Sequence, residues 1–522
     1  MNCRYDVRKE ELLSVQTPDR KRRKVSLAGA LAYLCGAGIS SFEALQGHQK
    51  QGWYTFIVQL GALALSRGGL DKLTTNISDW EQALLALSND QGEPWCLVVD
   101  DIAKPAFFQS PIPEGALEKA RYKADISAPD GLDTLVTSKN HDIKKRRITD
   151  PSIQHWIYSL VNLQTMEGFL GRGNYGIARM NGGFGNRPFV GLTPALGWGD
   201  RFHRDVKMLA DGRDELIRER YSADGPALLW TLPWDGGKKS GLSLPSLDPY
   251  FIEICRRIRF TNEDDQLVVW RANSKAYRID TPSNLNGVTG DPWTPIDRKE
   301  NKALTLSGKG YDYKIVQQLL LGGDYKKPPS LKFRPSEEDG GYLIATAMVR
   351  GKGQTEGLHQ RVIPIPSKAV TVFRDVPSKR EQLANTARWR VEMAALVRSK
   401  LVTQGVCALL KIPPDDRGDE YEKFSRWLDA YESAVDTRFF DALWRTLNLS
   451  EEKSKKIWEG ILYDEARMQF DDAIASAPIA DISRLRIISR AEAIFESQAR
   501  KHLPHHFPPP KQEEDSDEST VV

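Results

Sequence analysis

Apolar residues change their spacing along this chain. In roughly the first two-thirds they fall in short runs cut by glycine and proline, and the runs predict a mixed α/β region. Val25 to Cys35, Trp53 to Ser66 and Ile153 to Met166 read as helices. Leu12 to Val15, Trp95 to Asp101, Phe189 to Leu196, Ala227 to Pro233 and Gly341 to Val349 read as strands or short buried runs, and Pro245 to Phe260 as a mixed segment. Gln266 to Arg271, a turn at Ala272 to Ser274, and Lys275 to Asp280 predict a hairpin whose returning strand puts Lys275, Tyr277 and Ile279 on one face. From about Arg380 the period becomes helical over four segments, Asn385 to Leu410, Asp419 to Leu447, Ser450 to Ser476 and Asp481 to His502. In the second, Phe424, Trp427, Leu428, Tyr431, Val435, Phe439 and Leu443 form one apolar stripe, and Leu485, Ile488, Ala491 and Phe495 repeat the pattern in the fourth. The expected fold is α+β: a mixed domain over 1–379, an antiparallel four-helix bundle over 380–507 and a disordered acidic tail over 508–522.

Composition adds little until it is read locally. At 522 residues and 40% hydrophobic content the chain can bury at least two cores. A net charge of +3 hides basic runs at Arg20 to Lys24 and Lys144 to Arg147 and an acidic run at Glu513 to Glu518. That balance suits local contact with nucleic acid inside an assembly, although any one basic run is more often a solvated face. The five cysteines are scattered singly, which argues against a disulfide framework and a thiolate zinc site and fits a reducing cytoplasm. Neither a signal peptide nor a run of about 18 apolar residues is found, so a soluble cytoplasmic protein without a membrane partner is expected.

The densest candidate chemistry runs from Gly168 to Pro188, where seven glycines alternate with Arg172, Arg179 and Arg187, with Asn174, Asn181 and Asn186, and with Tyr175. Glycine admits positive φ and close backbone approach, while Arg and Asn bond phosphates and base edges, so the stretch reads as a ligand-facing loop or as two turns beside a strand. Arg350 to Gly357 is a second loop of this kind, with Arg350, Lys352 and Gln354 between glycines and a plain hairpin turn as its alternative. Thr137 to Asp142 reads as a protruding loop on a basic stem, with His141 a solvated histidine. Asp100 and Asp101 point to opposite faces of a strand and make a poor carboxylate dyad.

In this order and spacing the features resemble the CasA family, the large subunit of the type I-E CRISPR surveillance complex Cascade, over nearly the whole chain. The resemblance implies a protein without catalytic residues, cofactor or metal. It would read the protospacer-adjacent motif (PAM) in double-stranded target DNA, begin opening the duplex for the CRISPR RNA and help dock a helicase-nuclease. It further implies a glycine loop at Gly171, Arg172, Gly173 and Asn174, a minor-groove lysine at Lys275, and a glutamine wedge at Gln354 with Arg350 and Lys352 beside it. The loop Thr137, Ser138, Lys139, Asn140, His141 and Asp142 would anchor the subunit near the 5′ end of the guide RNA. Its partners would be the backbone, small and 5′-handle-binding subunits. Three departures stand out: a Trp-Ile-Pro segment near the N-terminus is absent, cysteine pairs found in some members are missing, and Asn174 follows where another glycine is usual. Two other readings are a scaffold that only bridges subunits and a nucleic-acid-processing enzyme. The enzyme reading lacks a Walker sequence and H-x-H or H-E-x-x-H metal spacing.

Overall fold

The computed structural model describes residues 3–508 apart from 127, 133–147, 149, 181–186, 265, 283, 335–336, 352–353, 376 and 479–480. Two compact units result: Met1–Tyr311 with Gly323–Val370, and Asp312–Gly322 with Thr371–Val522. The fold is mixed α+β with a helical C-terminal region.

The main elements of the first unit are β1 (Cys3–Asp6), α1 (Leu27–Cys35), α2 (Lys50–Ser66), β2 (Cys96–Val99), β3 (Lys123–Ile126), α3 (Ile153–Met166), β4 (Phe189–Thr193), α4 (Trp198–Glu219), β5 (Arg257–Glu263), β6 (Gln266–Ala272), β7 (Gly340–Gly351) and β8 (Gln354–Pro366). Every residue of α2 from Gln51 to Ala64 is buried, as expected of a helix apolar nearly all round. Its one long polar side chain at mid-helix is satisfied, because Gln59 Nε2 donates to the carbonyls of Tyr250 and Phe251. A Cβ at Gly61 would come within 2.7 Å of Val206, so glycine there sets how closely α2 and α4 pack.

Two expectations are corrected here. The hairpin is formed by β5 and β6, with Gln266 opposite Glu263, and not by Gln266 to Arg271 with the segment after it. Asp264 takes the left-handed turn at φ 49°. Lys275 to Ala276 instead bonds to the backbone of Gly236, and only Ile279 and Asp280 enter a short parallel bridge to Leu242 and Ser243. Two of the scattered cysteines also pair: Cys3 and Cys96 form a disulfide between β1 and β2, with Cα atoms 5.8 Å apart. At 93 residues of separation no local spacing could announce it.

The main helices of the second unit are α5 (Tyr313–Leu320), α6 (Pro377–Val397), α7 (Thr403–Leu410), α8 (Ser425–Arg445), α9 (Glu451–Ser476) and α10 (Asp481–His502). Helix α5 was not expected. It comes from within the N-terminal part of the chain and packs on α8, where Tyr313 lies 5.0 Å from Phe439 and Lys314 pairs with Glu432 at 2.9 Å. Helices α6 and α7 are continuous through a π turn at Arg398–Val402 and form one helix of 34 residues. By length and composition part of it could cross a membrane. Its buried positions Leu383, Ala387, Arg390, Ala394 and Val397 recur at spacings of three and four and form a protein-core seam that contains an arginine. At the other end Gly405 lets α7 approach the stacked rings of Phe470 and Phe495, 4.7 Å apart. Phe470→Ala is expected to lower the stability of this unit by about 3–5 kcal/mol. Urea unfolding followed by circular dichroism would read it, and a loss below about 1 kcal/mol would show that the stack is not central.

Candidate nucleic-acid interface

Helix α3 ends at Glu167, whose backbone turns extended, and the chain then enters the glycine loop. Gly171 and Gly173 lie at φ 91° and 89°, where a side chain would be strained. The Leu170 N–H donates to the Asn174 carbonyl at 2.9 Å and the Asn174 N–H to the Gly171 carbonyl at 3.1 Å, which closes a tight turn with Arg172 exposed at its tip. A Cβ at Gly176 would run into the backbone of Gly168, so the loop returns against its own root.

That turn is laced to two others by backbone hydrogen bonds. Ser274 N–H donates to the Gly173 carbonyl at 3.0 Å, Tyr175 N–H donates to Ser274 Oγ at 3.4 Å, and Lys275 N–H donates to the Gly236 carbonyl at 2.6 Å. Tyr175 is flanked edge-on by Phe169 at 5.5 Å and Tyr277 at 5.1 Å. Together the turns line a cleft of about 950 Å³ that holds Arg172, Gly173, Tyr175 and Lys275. Lys119, Arg121, Lys123 and Arg271 line it as well, and Arg257 sits in its floor. Glu114 and Asp235 are its carboxylates. The Ser240 hydroxyl and the Gly237 N–H both donate to Asp235 Oδ1 and hold its carboxyl below the usual range, so it stays charged.

Beneath the loop lies a buried ion triad. Glu167 Oε2 accepts from Arg256 Nη2 at 3.0 Å, and its Oε1 accepts from Arg350 Nη1 at 2.5 Å. Arg256 also donates to the carbonyls of Gly168 at 2.7 Å and Tyr175 at 2.5 Å. One carboxylate thus joins the end of α3, the start of β5 and the end of β7 next to the hairpin tip.

Several sequence-predicted site residues change role. Arg350 is 8% exposed and held by Glu167, so it is a strut of the loop and not a DNA-facing cation. Arg179 is buried on Glu253 at 2.5 Å and stacks on Phe251, and Arg187 is buried on Asp291 at 2.7 Å. Of the three arginines in the glycine-rich stretch only Arg172 faces the cleft. The structure brings Arg172, Gly173 and Lys275 together, with Gly171 and Asn174 in the same turn. Gln354 lies opposite Gly351 at the closed end of the β7–β8 hairpin, just past the irregularity in register that follows Val349. The Gln354 side chain, Lys352 and the loop Thr137 to Asp142 lie outside the described residues. Asp100 and Asp101 are exposed beyond the end of β2, and the Asp101 carboxylate accepts from the Ala103 N–H. Sequence reasoning missed Lys119, Arg121, Lys123 and Arg271; the alternation of cations in E-K-A-R-Y-K at 118–123 was the available signal.

Fold and cleft together define a mixed α+β chain with a basic, glycine-floored groove. No family model matches the sequence, and no curated protein matches it. Among solved structures it is similar to CasA of Thermus thermophilus, at 13% identity and TM-score 0.66 over 95% of this chain and 100% of that one. Cse1 of Thermobifida fusca is similar at 13% identity and TM-score 0.64, over 96% of this chain and 98% of the other. A chain of a CRISPR RNA-guided surveillance complex is similar at 13% identity and TM-score 0.57, over 95% and 100%. The fold is the CasA (Cse1) fold.

Replacing Glu167 by the isosteric Gln would leave two buried guanidinium groups facing an amide. Glu167→Gln is expected to cost about 3–5 kcal/mol. Denaturant unfolding would read the loss, and limited proteolysis should show earlier cleavage within 168–180. Wild-type stability in this variant would show that the triad is not what holds the loop.

Proposed function

We propose that this chain is a CasA-family large subunit of a type I-E CRISPR surveillance complex, without catalytic activity of its own. Its task is to recognise the PAM in duplex DNA, start strand separation for CRISPR RNA pairing and help recruit the helicase-nuclease. The observation that carries this reading is that Lys275 lines one basic cleft with Arg172 and Gly173, from which it is far apart in sequence, on a chain of CasA fold.

The chemistry fits a minor-groove reader. A glycine backbone can enter a narrow groove that bulky side chains cannot, and a lysine ammonium can donate to the acceptors on its base edges. A·T and T·A pairs look nearly alike there, so such a reader tolerates several motifs. Gln354, at the hairpin tip, is the wedge. Unstacking one base step costs a few kcal/mol, and exchange of DNA for RNA–DNA pairing is close to balanced, so a small wedge suffices to start it. The loop Thr137 to Asp142, with Asn140 foremost, anchors the subunit near the 5′ end of the guide. The helices of the second unit, read as an antiparallel four-helix bundle, hold neighbouring subunits, and the complex works in the cytoplasm.

Lys275→Ala and Gln354→Ala, each in the reconstituted complex, are expected to weaken binding of duplex target about tenfold, equivalent to about 1.4 kcal/mol. Binding of a target already opened as a bubble should change far less. Gel-shift titration on both substrates checks this, and equal loss on the two would overturn the assignment.

A further inference from the structure

We infer that the ledge at 117–123, together with Arg271, is a second DNA contact, one that grips the phosphate backbone beside the reading loop and carries no sequence information. The inference rests on the proposed reading for the presence of a duplex in the cleft. It adds a separate site with a separate readout.

Three observations carry it. First, Lys119, Arg121 and Lys123 are all exposed along one wall of the cleft, and among the described residues none of them forms an ion pair. Second, Lys123 on β3 stands directly opposite Arg271 on β6. The pairing puts two cationic side chains next to one another on the cleft wall. Third, Arg121 takes φ 64°, a conformation in which glycine or asparagine would be less strained. The turn that imposes it is closed by the Arg121 N–H on the Glu118 carbonyl at 3.0 Å and the Tyr122 N–H on the Leu117 carbonyl at 2.8 Å.

The ledge is also firmly seated. Leu117, Ala120 and Tyr122 are buried with Ile112 in a small apolar cluster of their own. Arg257 donates to the Ala120 carbonyl at 3.1 Å and lies over the Tyr122 ring at 4.8 Å. The buried arginine fixes the ledge from below and leaves the neighbouring cations turned to the cleft. Backbone phosphates are the ligand such a row fits, because point charges on flexible stems neutralise phosphates without selecting bases.

The test is a salt titration of duplex binding by the complex, with cognate and scrambled motifs. For Lys119→Ala/Arg121→Ala/Lys123→Ala the slope of log Kd against log salt should fall by about 2–3, since each phosphate contact contributes about 0.9. The loss should be equal on both duplexes, so motif preference is retained. Arg121→Gly alone removes one cation while easing the backbone; it should keep or raise the melting temperature and still lower the slope by about 1. Lys119→Arg/Lys123→Arg should keep the wild-type slope. An unchanged slope in the triple variant would overturn the inference, as would loss of motif preference alone or weakened guide RNA binding in place of duplex binding. A wild-type protein that binds duplex without motif preference, yet loses slope in the triple variant, would sink the reading function and leave this contact standing.

Discussion

The cleft depends on one buried negative charge. Glu167 is 2% exposed and sits between two guanidinium groups that are 9% and 8% exposed. In a low-dielectric interior none of the three could be held alone, since each uncompensated ion carries a desolvation penalty of several kcal/mol. Satisfying them together requires three distant segments to meet at one point: the residue after α3, the residue before β5, and the end of β7. The glycine loop is strung between the first of these and Arg256, which holds its carbonyls at both Gly168 and Tyr175. A loop with this much glycine has a large conformational entropy to lose. Its order is imposed from below by charge neutralisation and from the side by backbone hydrogen bonds to Ser274.

The same logic separates the arginines of the first unit into two populations. Arg259 is fully buried and donates to the carbonyls of Val99 and Lys104, and Arg278 donates to those of Ser240 and Leu232. Burial pushes both guanidinium groups down to about 10, still well above neutrality, so they remain charged struts. A planar fork with five donors can close several irregular backbone turns at once, which lysine cannot. The cations left on the cleft wall are the exposed ones, Arg172 and Lys275 among them. Charge at the surface is thus available for a ligand because the interior turns are closed by other arginines.

Where the sequence was legible, a period carried the information. Helix α3 runs from Ile153 to Met166 and α10 from Asp481 to His502, both as their apolar spacing predicts. Ser450 caps α9 by accepting from the Lys453 N–H, as a serine before a helical run should. What could not be read was pairing. Whether Gln266 to Arg271 pairs backward or forward depends on which neighbour offers the longer register, and β5 offers seven paired residues where Lys275 to Asp280 lies on another turn. The packing of helix α5 on α8, the Cys3–Cys96 disulfide and the Glu167 triad are contacts between segments far apart in sequence, and no window reaches them, although α5 itself carries a local signal in its Asp312 cap. At the site the residue types were legible and their burial was not: Arg172, Arg179, Arg187 and Arg350 look alike in sequence, yet three of them are neutralised by Glu253, Asp291 and Glu167.

Rigidity follows from how the cleft wall is made. Gly173, Ser274, Gly236 and Lys275 are joined through main-chain groups, and Tyr175 packs between two aromatic rings. The side chains that reach the groove therefore stand on turns already fixed before any ligand arrives, and a ligand need order only the exposed lysine and arginine stems, at about 0.5–1.5 kcal/mol each. A wall of this kind favours recognition by shape and charge over recognition by adaptable hydrogen bonding. On the proposed reading, selectivity comes from the few atoms that reach base edges, and affinity from the cations around them. The turn that carries Lys275 and the ledge that carries Lys119 to Lys123 stand on one wall, joined by the pairing of Lys123 on β3 with Arg271 on β6 and by the buried guanidinium of Arg257, which donates to Asn273 on one side and Ala120 on the other.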